Sequence, residues 1–227
     1  MQIIDGVYSI DSLGMGRAYL AVEADRVTLI DTGLRGSAER VLRAVEAAGH
    51  TPESVRQIVI THHHGDHVGS LAELAERTGA QVMVHSLDAP VVRHEQPWPG
   101  PMSGGLLKPL LRRIDRPAPP ARVDRELADG DEIDCLDGMR VVHTPGHTSG
   151  SVSFYASKRR ILFTGDAAAN TFGLRPPLGW FTEDMARARE SIRKLAELDF
   201  EVACFGHGRP LDREASLRFR RFAERLR

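Results

Sequence analysis

The sequence predicts a mixed α/β (α+β) fold in which two sheets pack face to face with helices on their outer sides. Three observations carry this expectation: a meander of short strands in the first thirty residues, amphipathic helices spliced between later strands, and chemistry-bearing residues gathered just past strand ends. The meander runs through Val7-Tyr8-Ser9-Ile10, residues 18–22 and residues 27–30, with turn residues between them. Ser37 caps a helix whose Val41, Leu42, Val45 and Ala48 share one face, and Gly49 stops it. Residues 55–60 read as a buried strand running out at Thr61. A helix then starts near Asp66 with Val68, Leu71, Leu74 and Ala75 turned inward, and residues 81–84 form the next strand.

Residues 94–122 change character, being rich in proline and glycine around a short helix over 106–114 that carries Arg112 and Arg113. This segment reads as a flap inserted into a single domain spanning 1–227. Strands resume at 132–133, 139–142, 151–155 and 161–164. A helix over 183–198, capped by Thr182, precedes a strand at 202–205. A closing helix over 211–227 buries Ala215, Phe219, Phe222 and Leu226, and its many arginines from Arg213 onward read as a solvated face.

Composition bounds the function. A chain of 227 residues, 41% hydrophobic, can build one sizeable core. Its 30 basic against 31 acidic residues leave a formal charge of -1, so no summed positive field exists to hold a polyanion, and nucleic acid is not expected as a partner. The longest apolar stretches are strand-sized, and Met1-Gln2-Ile3-Ile4-Asp5 lacks the pattern of a signal peptide, which predicts a cytoplasmic protein with no membrane partner. Cys135 and Cys204 are too few for a disulfide framework; they read as thiols, Cys204 inside a strand and Cys135 nearer the surface.

Histidine is the anomaly. Four of the ten histidines stand in Thr61-His62-His63-His64-Gly65-Asp66-His67, where a buried strand gives way to a helix. No packing argument places four such side chains at a strand end, whereas metal ligands must converge, and a loop between rigid elements lets them. His62 and His64 alternate and so share one side of an extended backbone, with His63 pointing away. His147, Asp166 and His207 each follow a strand and stand beside a glycine that lets the chain turn sharply. Five imidazoles and two carboxylates suffice for two metal ions with one carboxylate shared. His63 and His143 read as structural or supporting groups, His85 as a strand-end residue, and His50 and His94 as exposed loop residues. Asp31 reads as a partner that orients a ligand histidine or as a turn former with Gly33.

The motif at 62–67, the Asp31-Thr32-Gly33 turn, Pro145-Gly146-His147-Thr148, Thr164-Gly165-Asp166 and Gly206-His207-Gly208 together resemble the metallo-β-lactamase superfamily in order and spacing, over nearly the whole chain. The resemblance implies an αββα sandwich with the site at one edge of its two sheets. It also implies one metal on His62, His64 and His147, a second on Asp66, His67 and His207, and Asp166 bridging them. The cofactors implied are two divalent cations, zinc first, with manganese or iron(II) as alternatives. The implied reaction is cleavage of an ester, thioester or lactone carbonyl by a metal-bridging hydroxide, with Asp66 as the catalytic carboxylate that orients the nucleophile and passes a proton to the leaving group.

Substrate class must come from the walls of the site. An aspartate at 166 resembles the glyoxalase II-like and lactonase branches more than true β-lactamases, leaving β-lactam cleavage as a weak side activity. Glyoxalase II adds a C-terminal helical domain, for which the twenty residues after His207 leave no room. Quorum-signal lactonases often carry a tyrosine where this chain has Ala169. The expected walls are residues 12–17, the flap with Trp98 and Met102, and residues 170–181, with Phe172, Arg175 and Trp180 as substrate-binding residues for an acyl, aromatic or carboxylate-bearing small molecule. The competing reading is a mononuclear iron enzyme similar to the persulfide dioxygenases. A monomer or homodimer is expected.

Overall fold

The computed structural model describes residues 1–11, 13, 15–101, 105–107, 109 and 116–226. The expected helix over 106–114, Arg112, Arg113 and the wall residues Ser12 and Met102 therefore lie wholly or largely outside the described residues. The chain divides into two compact units, Met1–Trp98 with Asp115–Leu127, and Pro99–Ile114 with Ala128–Arg227.

The first unit is built on a seven-stranded sheet whose strands pair in chain order: β1 (Gln2–Ile4), β2 (Val7–Ile10), β3 (Ala18–Val22), β4 (Val27–Ile30), β5 (Val55–Val59), β6 (Gln81–His85) and β7 (Arg125–Leu127). Pairing is antiparallel from β1 to β4 and parallel from β4 to β7. The parallel strands are joined by helices, as parallel pairing requires. Helix α1 (Ala38–Ala47) buries Val41, Leu42 and Val45 in one core with Leu29, Ile58 and Val82. The single helix expected from Asp66 onward is instead α2 (Gly65–Val68) followed by α3 (Leu71–Thr78). Ser70 sits at the break: its hydroxyl accepts from the Ser37 amide and donates to the Leu34 carbonyl, tying the chain to the loop before α1 rather than continuing one helix. A short α4 (Ala89–Val92) follows β6.

The second unit holds a five-stranded sheet in the order β14-β11-β10-β9-β8, from β8 (Glu132–Ile133), β9 (Met139–His143), β10 (Val152–Ala156), β11 (Ile161–Phe163) and β14 (Val202–Cys204). A hairpin of β12 (Ala169–Asn170) and β13 (Leu174–Arg175) forms a separate two-stranded sheet. Helices α5 (Met185–Ala196) and α6 (Ala215–Glu224) contribute Ile192, Leu195 and Phe219 to a core with Phe200 and Phe205, where the Phe200 and Phe219 rings meet edge to face at 5.3 Å.

Three expectations are corrected here. Helix α5 is capped by Asp184, whose carboxylate accepts from the Ala186 and Arg187 amides, and not by Thr182. The closing helix starts at Ala215 and not at 211, because the backbone of Leu211 pairs with Ala203. Cys135 is fully buried and not near the surface, since Leu136, Asp137 and Gly138 all turn with positive φ and curl the chain under itself. No helix among the described residues is long and apolar enough to cross a membrane.

Candidate metal centre

In the first unit the donors come from the segment between β5 and α2. His62 and His64 emerge on the extended chain beyond β5, while Asp66 and His67 ride on α2. The ligating atoms of His62 and His64 lie within 4.8 Å of one another, as do those of His62 and His67 and those of Asp66 and His67. His62 and His67 are almost wholly buried, and their ring centroids are 4.0 Å apart.

The surrounding hydrogen bonds fix these rings. Asp31, just past β4, places Oδ2 2.8 Å from Nδ1 of His67 and also accepts from the Thr61 hydroxyl and amide. Thr61 Oγ1 lies 3.1 Å from Nδ1 of His62. The Thr32 hydroxyl and amide both donate to the His67 carbonyl, which anchors α2 to the turn after β4. His63 does not turn fully away as the alternation predicts: its ring meets that of His64 edge to face at 5.0 Å, because Asp88 holds it beside the loop. Its amide donates to Asp88 Oδ2 and its Nδ1 lies 3.1 Å from the same oxygen, while Trp98 meets its ring edge to face at 5.2 Å.

In the second unit His147, Asp166 and His207 come together past β9, β11 and β14. One oxygen of Asp166, Oδ2, lies 3.4 Å from Nε2 of His147 and 3.0 Å from Nε2 of His207. Thr182 Oγ1 lies 3.2 Å from Nδ1 of His147 and donates to the Leu178 carbonyl. Two glycines make this convergence possible. Gly146 has φ +130, and a Cβ there would stand 2.2 Å from the Ala188 amide nitrogen; Gly208 has φ +95, and a Cβ there would stand 2.1 Å from the backbone of Asn170.

The donor set fits divalent cations. On His62, His67 and His147 the Nδ1 nitrogen is held by a neighbouring hydroxyl or carboxylate, and on His67 and His147 Nε2 faces an aspartate at 3.8 and 3.4 Å. Protein metal sites fix ligand imidazoles in this way. Burying carboxylates among imidazoles is costly unless a cation joins them, and imidazole with carboxylate suits zinc, iron or manganese.

Other sequence-flagged residues fall elsewhere. Phe172 lies in the turn between β12 and β13 and is 90% exposed, Arg175 sits on β13 with its guanidinium 5.7 Å over the Phe172 ring, and Trp180 lies in a 3₁₀ turn, Gly179–Phe181. His85 ends β6 and is buried; His94 is exposed, with Nε2 2.9 Å from the Ala118 carbonyl. His50 follows α1 and is half-buried rather than exposed, because its amide folds back onto the Val45 carbonyl. Sequence reasoning missed Asp88 and Thr182. Asp88 had a usable signal, since it stands just past β6 as Asp31 stands just past β4; Thr182 had none beyond its suitability as a cap.

A sequence profile described as the metallo-beta-lactamase superfamily matches residues 11–207. The Bacillus subtilis protein named "Probable metallo-hydrolase YflN" is 29% identical over 209 residues, covering 85% of this chain and 79% of its own. A hydroxyacylglutathione hydrolase of Cereibacter sphaeroides is 34% identical over 171 residues, covering 74% of this chain but only 52% of its own. Among solved structures, the subclass B3 metallo-β-lactamase BJP-1 of Bradyrhizobium japonicum superposes with a TM-score of 0.75 at 22% identity, covering 100% of this chain and 89% of that one, a likeness of fold. With a profile match over most of its length, relatives named as metallo-hydrolases and a shared fold, this chain belongs to the metallo-β-lactamase superfamily.

Proposed function

We propose that the chain is a dinuclear metal-dependent hydrolase that cleaves an ester, thioester or lactone carbonyl, with 1–227 acting as one catalytic domain. In this reading His62, His64 and His147 hold one cation, Asp66, His67 and His207 hold the second, and Asp166 is shared. The observation that carries it is the fixing of Nδ1 on His62, His67 and His147 by Thr61, Asp31 and Thr182. Such outer contacts present the opposite nitrogen for coordination. Bound there, the cations would polarise the carbonyl and lower the pKa of water to about 7.

The chain's own groups do the rest. Asp66, with a side chain 15% exposed, is the donor carboxylate open enough to orient a water, take its proton on a carboxylate oxygen and pass that proton to the leaving oxygen or sulfur. Trp98, edge-on to His63 and 6.4 Å from His64 between ring centroids, supplies an apolar wall beside the donors. Phe172 and Trp180 offer large apolar surfaces to an acyl or aromatic group, and Arg175 offers a charge to a carboxylate. The hydroxyacylglutathione hydrolases among the relatives favour a thioester. The chain spans about half of their length.

Elemental analysis of protein grown with zinc, manganese and iron all supplied tests this reading, followed by a panel of esters, thioesters, lactones and β-lactams. Two zinc or manganese ions per chain and turnover of a thioester, ester or lactone are expected. A single iron per chain, with oxygen consumed on a persulfide and no hydrolysis, would overturn it in favour of a dioxygenase.

A further inference from the structure

A cleft of about 380 Å³ lies between the β12–β13 hairpin and α6, lined by Phe172 and Leu174 from the hairpin and by Arg218, Arg221, Phe222 and Arg225 from the helix. Residues 218, 221 and 225 are spaced three and four apart, so the three guanidinium groups share one helix face and repel one another. None pairs with a carboxylate among the described residues, although Arg17, Arg77, Arg93 and Arg160 all find acidic partners. Glu224, three residues beyond Arg221, makes no ion pair with it. The helix dipole explains a cation in the last turn but opposes one at Arg218, near the first. A solvated face, the reading from sequence, leaves this concentration of unneutralised charge around a cavity unexplained.

The apolar lining is equally specific. Phe172 is 90% exposed at the hairpin tip, with Arg175 over its ring, while Phe222 and Leu174 are buried or half-buried in the cleft. An aromatic face beside three cations matches a flat ring bearing an anionic group, and the volume is that of a small-molecule site. The hairpin also starts close to the metal donors: Asn170, four residues past Asp166, donates its amide to the His207 carbonyl at 2.9 Å and its side chain to the Arg209 carbonyl at 2.7 Å.

We propose that this cleft binds a small phosphorylated or carboxylated molecule, its anionic group held by Arg218, Arg221 and Arg225 and its ring laid against Phe172. The molecule is either the charged tail of the hydrolysed substrate, which rests on the hydrolase reading above, or a separate effector, which does not. The chemistry recognised is the same for both.

The test is calorimetric titration of the full metal-loaded chain with adenosine monophosphate, 1-naphthoate, adenosine and inorganic phosphate, repeated on the R221Q/R225Q double variant. Adenosine monophosphate or naphthoate should bind below about 1 mM, adenosine and phosphate about tenfold more weakly, and the double variant should lose about tenfold with metal content and melting temperature unchanged. Equal binding to both proteins, which would place the anion on the metals, overturns the proposal, as does no binding of either ring-bearing anion. Tighter binding of a single-stranded oligonucleotide that the same variant abolishes would also overturn it, in favour of a polyanion. A rise in KM with unchanged kcat, confined to an ester bearing a phosphate, identifies the substrate tail; a rate change on a neutral ester when adenosine monophosphate is added identifies an effector. The binding comparison stands even where no ester is turned over, so failure of the hydrolase reading is seen separately.

Discussion

Asp31 grips His67 and the start of the donor loop at once: Oδ2 lies 2.8 Å from Nδ1 of His67 and accepts from the Thr61 hydroxyl, while Oδ1 accepts from the Thr61 amide. It does so with φ at 60°, a left-handed backbone that asparagine adopts nearly as readily as aspartate. Asp31→Asn therefore removes the charge and keeps the turn. Metal affinity, measured by chelator competition, should fall about 10- to 100-fold with the fold retained. Unchanged affinity would reduce Asp31 to a turn former.

Thr182 plays the matching part in the second unit. Thr182→Val keeps the shape and deletes the hydroxyl that lies 3.2 Å from Nδ1 of His147. Metal affinity should drop about tenfold, and Thr182→Ser should restore it. A variant whose loss is not rescued by serine would point to packing of the methyl group instead.

Gly208 leaves no room for a side chain. Gly208→Ala combines φ +95 with a Cβ 2.1 Å from Asn170, so stability in urea should fall by at least about 2 kcal/mol. Gly36, which has positive φ but no neighbour within 4 Å of an added Cβ, should cost only the backbone strain of about 1 to 2 kcal/mol.

Asp129 makes stability depend on pH. Partial burial pushes its carboxyl up, but the hydrogen bond from the His143 amide and the Lys194 ammonium outweigh this and hold it below the usual carboxylate value. A carboxyl depressed in the folded state stabilises the protein above its unfolded pKa, near 4, and that contribution is lost as pH falls through the folded value. Asp129→Asn should cost about 0.5 to 1 kcal/mol at pH 7, a figure discounted for its half-exposed side chain, and the gap from the parent should close in acid denaturation below about pH 4. A gap that persists once the Asp129 carboxyl is protonated in the folded protein would assign the effect to the amide bond alone.

The strands at 7–10, 18–22 and 27–30 were legible because short, mostly apolar runs are bounded by turn residues there, and each is observed at those bounds. That His62, His64 and His67 gather in one place was legible for a different reason: histidine at alternating positions past a buried strand has no use in packing. The hairpin of β12 and β13 was not, since two-residue strands are too short to show a period. Thr182 and Asp184 are both good caps two residues apart, and only tertiary contact decides that one caps α5 while the other serves His147. Cys135 was misjudged because three consecutive positive-φ residues are invisible in composition. The pairing of His63 with Asp88 joins residues 25 apart through the parallel sheet, which no local pattern reports.

Chain-order pairing in the seven-stranded sheet has a consequence for biosynthesis. Each strand from β1 to β7 meets the one made just before it, so the sheet carrying His62, His64, Asp66 and His67 is complete once Leu127 has been synthesised. The second sheet cannot close until β14, at residue 202, reaches β11 across some forty intervening positions. Short-range pairings form sooner than long-range ones, and nascent chains fold from the N-terminus as they lengthen. On the ribosome, then, the histidine-rich loop is a finished surface while His147, Asp166 and His207 are still to be added, and the order of translation becomes the order in which the candidate metal donors appear.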